Sequence, residues 1–207
     1  MSKKYFDDVT AFYNKMNFFI PEDVSPLSQY AALQRITYLM EEQKEIKQSL
    51  NIIDFVDGVI DLVYIAIGAS VAMGYKEYEE YPYSTTGSII LDAFKAHMTG
   101  IELRMTPPVF HDNLAYLLKN NPPEAHYMLN MCFYTKGRET LKALKIDFDT
   151  HWNEVHQANM RKVPATKDNP SKRGFVENDS VKPNNWIGPR HESFLSTVTE
   201  LHIIHTL

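Results

Sequence analysis

This chain has almost nothing with which to staple itself. Among its 207 residues there is one cysteine, Cys132. An intrachain disulfide is therefore excluded, and a reducing compartment is the natural expectation. Basic charge is short as well. Lys and Arg number 21 against 26 Asp and Glu, for a net charge of -5, so the surface lacks the bulk attraction to nucleic acid or to an anionic membrane. No long hydrophobic run is present. The most apolar stretch, VIDLVYIAIGASVAMG, is short for a membrane span and carries Asp61. The N-terminus, MSKKYFDDVTAFYNK, has no apolar core behind its basic start, so no signal peptide is expected. Together these absences predict a cytoplasmic protein with neither a nucleic-acid nor a membrane partner. Alternating strand patterns are missing too, which makes the expected fold class all-α.

What is present is ordinary globular material, 44% apolar and 23% charged. One domain over 1–207 is the default, and the chain is long enough to bury a real core. Phe6, Val9, Phe12, Tyr13 and Met16 recur at helical spacing. Ser25 and Pro26 form a cap and first-turn pair for a helix reaching about Leu50, with Leu27, Tyr30, Leu33, Ile36, Met40 and Ile46 on one face. A second helix is predicted from Ile52 to Met73, stopped by Gly74. Helices are also expected over SIILDAFKAHM and after the proline pairs at 107 and 122. A break near Gly137 should precede a long helix over about 139–162, with Asp147–Asp149 the place where it can be interrupted. Residues 164–207 read as a loop-rich tail.

The second helix raises the chemical question. Asp54, Asp57 and Asp61 lie three and four residues apart, so they share a face for two turns. Their neighbours are apolar nearly all round, which is the pattern of burial. Buried aspartates repel one another and are pushed towards their neutral forms, and no Lys or Arg lies on this helix. Just upstream, Glu41, Glu42 and Glu45 stand at the same spacing. Two packed helices that each present carboxylates make an oxygen-rich site, suited to a hard cation such as Mg²⁺ or Mn²⁺. A di-iron bundle would need Glu-x-x-His pairs, and no Glu here has His three residues later. One cysteine and scattered histidines also argue against zinc. Mg²⁺ commonly works with substrate phosphates.

These residues carry a family resemblance. LMEEQKE followed by the aspartate row and DLVYIAIG resembles the all-α nucleoside triphosphate pyrophosphohydrolases, the MazG-like and phosphoribosyl-ATP pyrophosphohydrolase-like group, marked by EExxE followed by ExxD. DVTAFYNKMNF resembles that group's N-terminal DVxxFHxxF helix, with Tyr13 in place of the His. WNEVHQANMRKV is similar to its C-terminal EVHxxNxxK signature, and VKPNNWIGP to the KPxxW element of phage-type and dUTPase-like members. Residues 76–148 match no part of the pattern and read as a helical insertion.

The resemblance implies a helical bundle that forms a homodimer, binds Mg²⁺ (Mn²⁺ as a substitute) and cleaves a (deoxy)nucleoside triphosphate to monophosphate and pyrophosphate. Glu42, Glu45 and Asp61 are the implied metal ligands, with Asp57 next and Asp54 in a supporting or second-metal position. Glu41 is the candidate for handling the attacking water. Lys162 is expected on phosphate and Asn159 on base or sugar. Tyr13, beside Phe12, is a candidate to stack on the base, and the tail residues Lys172, Arg173, Lys182 and Trp186 to close over the nucleotide. One position departs from the pattern: Gly58 stands where an acid is expected three residues before Asp61, so Asp57 or Asp54 has to supply it. That departure also motivates a rival of another class, a nucleotide-sensing or protein-interaction module on the same fold with little or no turnover.

Overall fold

The computed structural model describes residues 3–78, 108–175 and 177–195. The fold is all-α. Helix α1 (Lys3–Met16) buries Tyr5, Phe6, Val9, Phe12, Tyr13 and Met16, the stripe its spacing predicts. Helix α2 (Gln29–Gln48) starts later than expected. Ser28, not Ser25, caps it, its Oγ accepting from the Ala31 N–H at 3.1 Å. The residues before it are extended and tied elsewhere: the Ser25 N–H donates to the Met73 carbonyl at 3.0 Å and the Leu27 N–H to that of Leu118 at 2.8 Å.

The expected apolar face of this helix divides. Leu27, Ile36 and Ile46 are buried, whereas Tyr30, Leu33 and Met40 are exposed. The inward face instead includes Arg35, Glu42 and Gln43, polar groups that a hydrophobic-periodicity reading assigns to solvent.

Helix α3 (Ile52–Ala72) is buried almost all round and packs against α1 and α2. Asn51 caps its start, and Gly74 ends the turn after it with φ 95°, a conformation that suits glycine. Gly58 lies where α2 and α3 cross closely. A Cβ there would sit 2.8 Å from Ile46 Cγ1. This explains the departure in the acidic motif: position 58 faces the neighbouring helix, where an acidic side chain has no room.

Helices α4 (Pro108–Asn120) and α5 (Pro122–Leu129) begin at the proline pairs. A π-helical stretch, Asn130–Thr135, leads directly into α6 (Lys136–Ala143). The predicted break at Gly137 is absent. Gly137 is a contact residue inside the helical run, since a Cβ there would meet Val63 Cγ2 at 2.6 Å. The interruption falls at 144–147, where Lys145 has φ 57° and Asp147 caps α7 (Phe148–Asn159) through the Thr150 N–H at 2.9 Å.

The described part of segment 76–148 adds Phe110, Leu114, Leu118, Met128, Leu129 and Phe133 to the core shared with α1–α3. The helix expected over 88–98 lies outside the described residues. After α7 the chain forms a two-residue antiparallel ladder, β1 (Val163–Pro164) with β2 (Ser180–Val181). This pins the tail beside the end of α7. A 3₁₀ turn, His191–Ser193, then rests on α3. Among the described residues no helix is long and apolar enough to cross a membrane.

Candidate functional site

The α2–α3 hairpin makes a cleft out of two helical registers. Arg35, Tyr38 and Glu42 line it from α2, at spacings of three and four; Asp61, Tyr64 and Gly68 line it from α3. The cleft encloses about 90 Å³, with Tyr13 and Asn159 also in its wall. It opens at the carboxylate end into a wider cavity of about 510 Å³ that shares Glu42, Asp61, Lys162 and Arg173. Glu45, Asp57, Lys172 and Lys182 complete the wider cavity's charged lining.

Charge is concentrated at that junction. Glu42 is 5% exposed, and its Oε2 has no hydrogen-bond partner. Burial, reinforced by Asp61 and Glu45, pushes its pKa up to about 9. Burial and then Asp57 raise Asp61 to about 7, against the pull of Lys162 and Lys182. Burial lowers the pKa of Lys162, although Asp61 opposes the shift. Like charges and desolvation thus hold the carboxylates towards their neutral forms in the absence of a cation.

Glu41 has a different environment. Lys172 Nζ lies 2.7 Å from its Oε1, and Arg173 Nε donates to its Oε2. Burial alone would raise its pKa, but these two cations hold it below the usual carboxylate range.

The structure brings together Glu42, Glu45, Asp57, Asp61, Lys162 and Lys182. Tyr13 and Asn159 stand in the narrower cleft, where the Tyr13 hydroxyl donates to the Gly68 carbonyl at 2.7 Å. Asp54 and Trp186 line neither cavity. Asp54 is exposed and completes the α3 cap: its N–H donates to Asn51 Oδ1 at 2.9 Å, and its Oδ2 accepts from Asn51 Nδ2 at 2.7 Å. Trp186 donates from Nε1 to the Ala158 carbonyl at 2.8 Å and carries Lys182 Nζ 4.1 Å above its ring. It fastens the tail to α7 and thereby places Lys182. Among the described residues no group of three or more His, Cys, Asp or Glu is arranged to hold a metal ion.

Some site residues had no signal in the motifs. Arg35 and Tyr38 lie just upstream of the acidic run, at helical spacing from Glu42. Asp179, 6% exposed with an unpartnered Oδ2, comes from the tail. His191 Nε2 is 3.0 Å from Asp57 Oδ1, and its Nδ1 is 2.8 Å from Nδ1 of His151. Both imidazoles are buried, so the carboxylate on α3 is braced from α7 and from the tail. No sequence spacing connects these three residues. Comparison with family models, with curated proteins and with solved structures gives no significant match.

Proposed function

We propose that the protein hydrolyses a (deoxy)nucleoside triphosphate to the monophosphate and pyrophosphate with Mg²⁺ or Mn²⁺, acting on the nucleotide pool. The observation that carries this reading is the junction of the two cavities, where buried Glu42 and half-buried Asp61, which repel each other, face Lys162, Arg173 and Lys182. Acids and bases drawn together around one open space suit a ligand that carries both a cation and several negative charges.

The donors fit a hard cation. They are oxygen atoms, and Glu42 Oε2 is buried without a partner. Glu42 and Asp61 would hold the ion, with Glu45 and Asp57 beside them. Mg²⁺ usually takes one or two carboxylates and completes its shell with phosphate oxygens and water. When bound, the ion neutralises the phosphates and polarises the bond to be cleaved. Lys162, Lys182, Lys172 and Arg173 provide the positive rim for the remaining phosphate oxygens. Glu41 is held by Lys172 and Arg173 and lines neither cavity, so its water-handling role rests on the resemblance alone.

The pairing of Glu41 with two tail cations also favours a second reading, a nucleotide-sensing or protein-interaction module that binds without turnover. The Gly58 departure no longer supports that alternative, because Ile46 accounts for it. Product analysis across the common dNTPs and NTPs with Mg²⁺ separates the two. The enzyme reading expects pyrophosphate from at least one substrate and a loss of about 10²-fold or more in Glu42→Gln, the scale of several kcal/mol of lost charge stabilisation. Binding with no product across the panel selects the module.

A further inference from the structure

Two turns along α2 from Glu42, the cleft holds a buried cation that the chemistry above does not use. Arg35 is 6% exposed, and its Nε has no hydrogen-bond partner. Its guanidinium lies over two tyrosine rings, 5.5 Å from the centroid of Tyr13 and 5.6 Å from that of Tyr38. No carboxylate among the described residues forms an ion pair with it. A buried guanidinium normally finds a carboxylate or a set of acceptors, because leaving its charge unpaired is costly. Here the unpaired edge belongs to a residue in the wall of the cleft, so the missing acceptor can come from a ligand.

The position of Arg35 says which part of the ligand. It stands two turns from Glu42 on the same helix face, a rise of about 10 Å. Gly68 stands two turns from Asp61 on α3, and the cleft runs between the two registers. With metal and phosphates at the carboxylate end, the far end receives the nucleoside. Its walls suit a flat ring: Phe12, Tyr13, Phe18 and Tyr64 are aromatic. Arg is a donor-only group. It complements the carbonyl oxygens of uracil, thymine, cytosine and guanine. Adenine offers ring nitrogens flanked by an amino donor, and no carbonyl.

We propose that Arg35 is the specificity-determining residue of the cleft and selects nucleotides whose base carries a carbonyl oxygen, against adenine. The inference rests on the nucleotide reading above. Its test is kept separate by measuring equilibrium binding of the product class, which needs no turnover.

Calorimetric titration with Mg²⁺ present would compare dUMP, dTMP, dCMP, dGMP, dAMP and deoxyribose 5-phosphate on the wild type, Arg35→Met and Arg35→Lys. The wild type should bind at least one carbonyl-bearing nucleotide tenfold or more tighter than dAMP. Arg35→Met should erase that difference while leaving deoxyribose 5-phosphate affinity within about twofold, and Arg35→Lys, which keeps the charge but loses the fork, should retain part of it. Equal binding of all bases by the wild type overturns the proposal. So does a uniform loss that includes deoxyribose 5-phosphate, which would put Arg35 on phosphate. Thermal melts of the variants identify a folding defect, and retained base preference in a folded Arg35→Met also overturns it. The parent reading fails by a different sign, binding with no pyrophosphate from any triphosphate.

Discussion

Two regions of this molecule bury ionisable groups, and they deal with the charge in different ways. Around His126 the solution is neutrality. The imidazole stacks on Tyr75 with centroids 3.7 Å apart and planes within 1°, has Tyr78 nearby, and shares a hydrogen bond between its Nδ1 and Ser70 Oγ at 2.9 Å. Burial drives its pKa down to about 4, so the ring is a flat core residue at neutral pH. Around Glu42 and Asp61 the groups are also driven towards neutrality, but they sit on open cavities beside one another and beside several cations. Burial by itself therefore does not mark a site. Like charges that converge on an open space, with opposite charges across it, do so.

The contrast can be broken by substitution. His126→Ala should cost about 3 kcal/mol, since it removes a closely stacked ring from the core. Glu42→Gln should raise metal-free stability at neutral pH, because folding has to protonate an acid that is ionised in the unfolded chain, a cost that Gln does not carry. Chemical denaturation of the two variants checks both. A comparable loss in Glu42→Gln would mean that the carboxylate holds the fold together as His126 does.

The two regions should also respond to pH with opposite slopes. His126 titrates near 4 in the folded state and near 6.5 when unfolded. Its stabilising contribution is present above pH 6.5 and is lost as pH falls towards 4. Glu42 moves the other way, from 4.5 unfolded to about 9 folded, and Asp61 from 3.8 to about 7. Between these values the folded state binds more protons than the unfolded state, so metal-free stability falls as pH rises. The two windows overlap, so melting curves from pH 4 to 9 are read as differences from the wild type: His126→Phe should remove a rise with pH between 4 and 6.5, and Glu42→Gln a fall between 4.5 and 9. Saturating Mg²⁺ should remove only the fall.

The smallest effect belongs to Asp54. As part of the α3 cap its replacement by Ala should cost about 1 kcal/mol or less, with turnover within twofold of the wild type. A loss of turnover on the scale of Glu42→Gln would restore Asp54 to the site.

The sequence was informative where a local rule applied. Proline pairs opened α4 and α5, Gly74 ended α3, and helical spacing showed that Glu42, Glu45, Asp57 and Asp61 point in compatible directions. It was silent where the reason is a contact across the fold. Gly58 and Gly137 read as a lost ligand and a helix break, yet each is a point of close approach, to Ile46 and to Val63. Asp54 is indistinguishable in spacing from Asp57, and only its place one turn into α3, beside Asn51, assigns it to a cap. Arg35 stands between Gln34 and Ile36, with Ala31, Ala32, Tyr38 and Leu39 one turn away, and nothing in that pattern tells a ligand-facing arginine from a solvated one. The His151–His191–Asp57 chain spans three elements far apart in the sequence.

On the proposed function, Glu42 and Asp61 are carboxylic acids that take up a cation. Such groups must give up their protons when it arrives. The most direct measurement is calorimetry of Mg²⁺ binding at pH 7, with product monophosphate present, in two buffers of different ionisation enthalpy. The wild type should release about one proton or more per ion bound, and Glu42→Gln clearly less. Mg²⁺ binding with no proton release, or identical release from the wild type and Glu42→Gln, would contradict it.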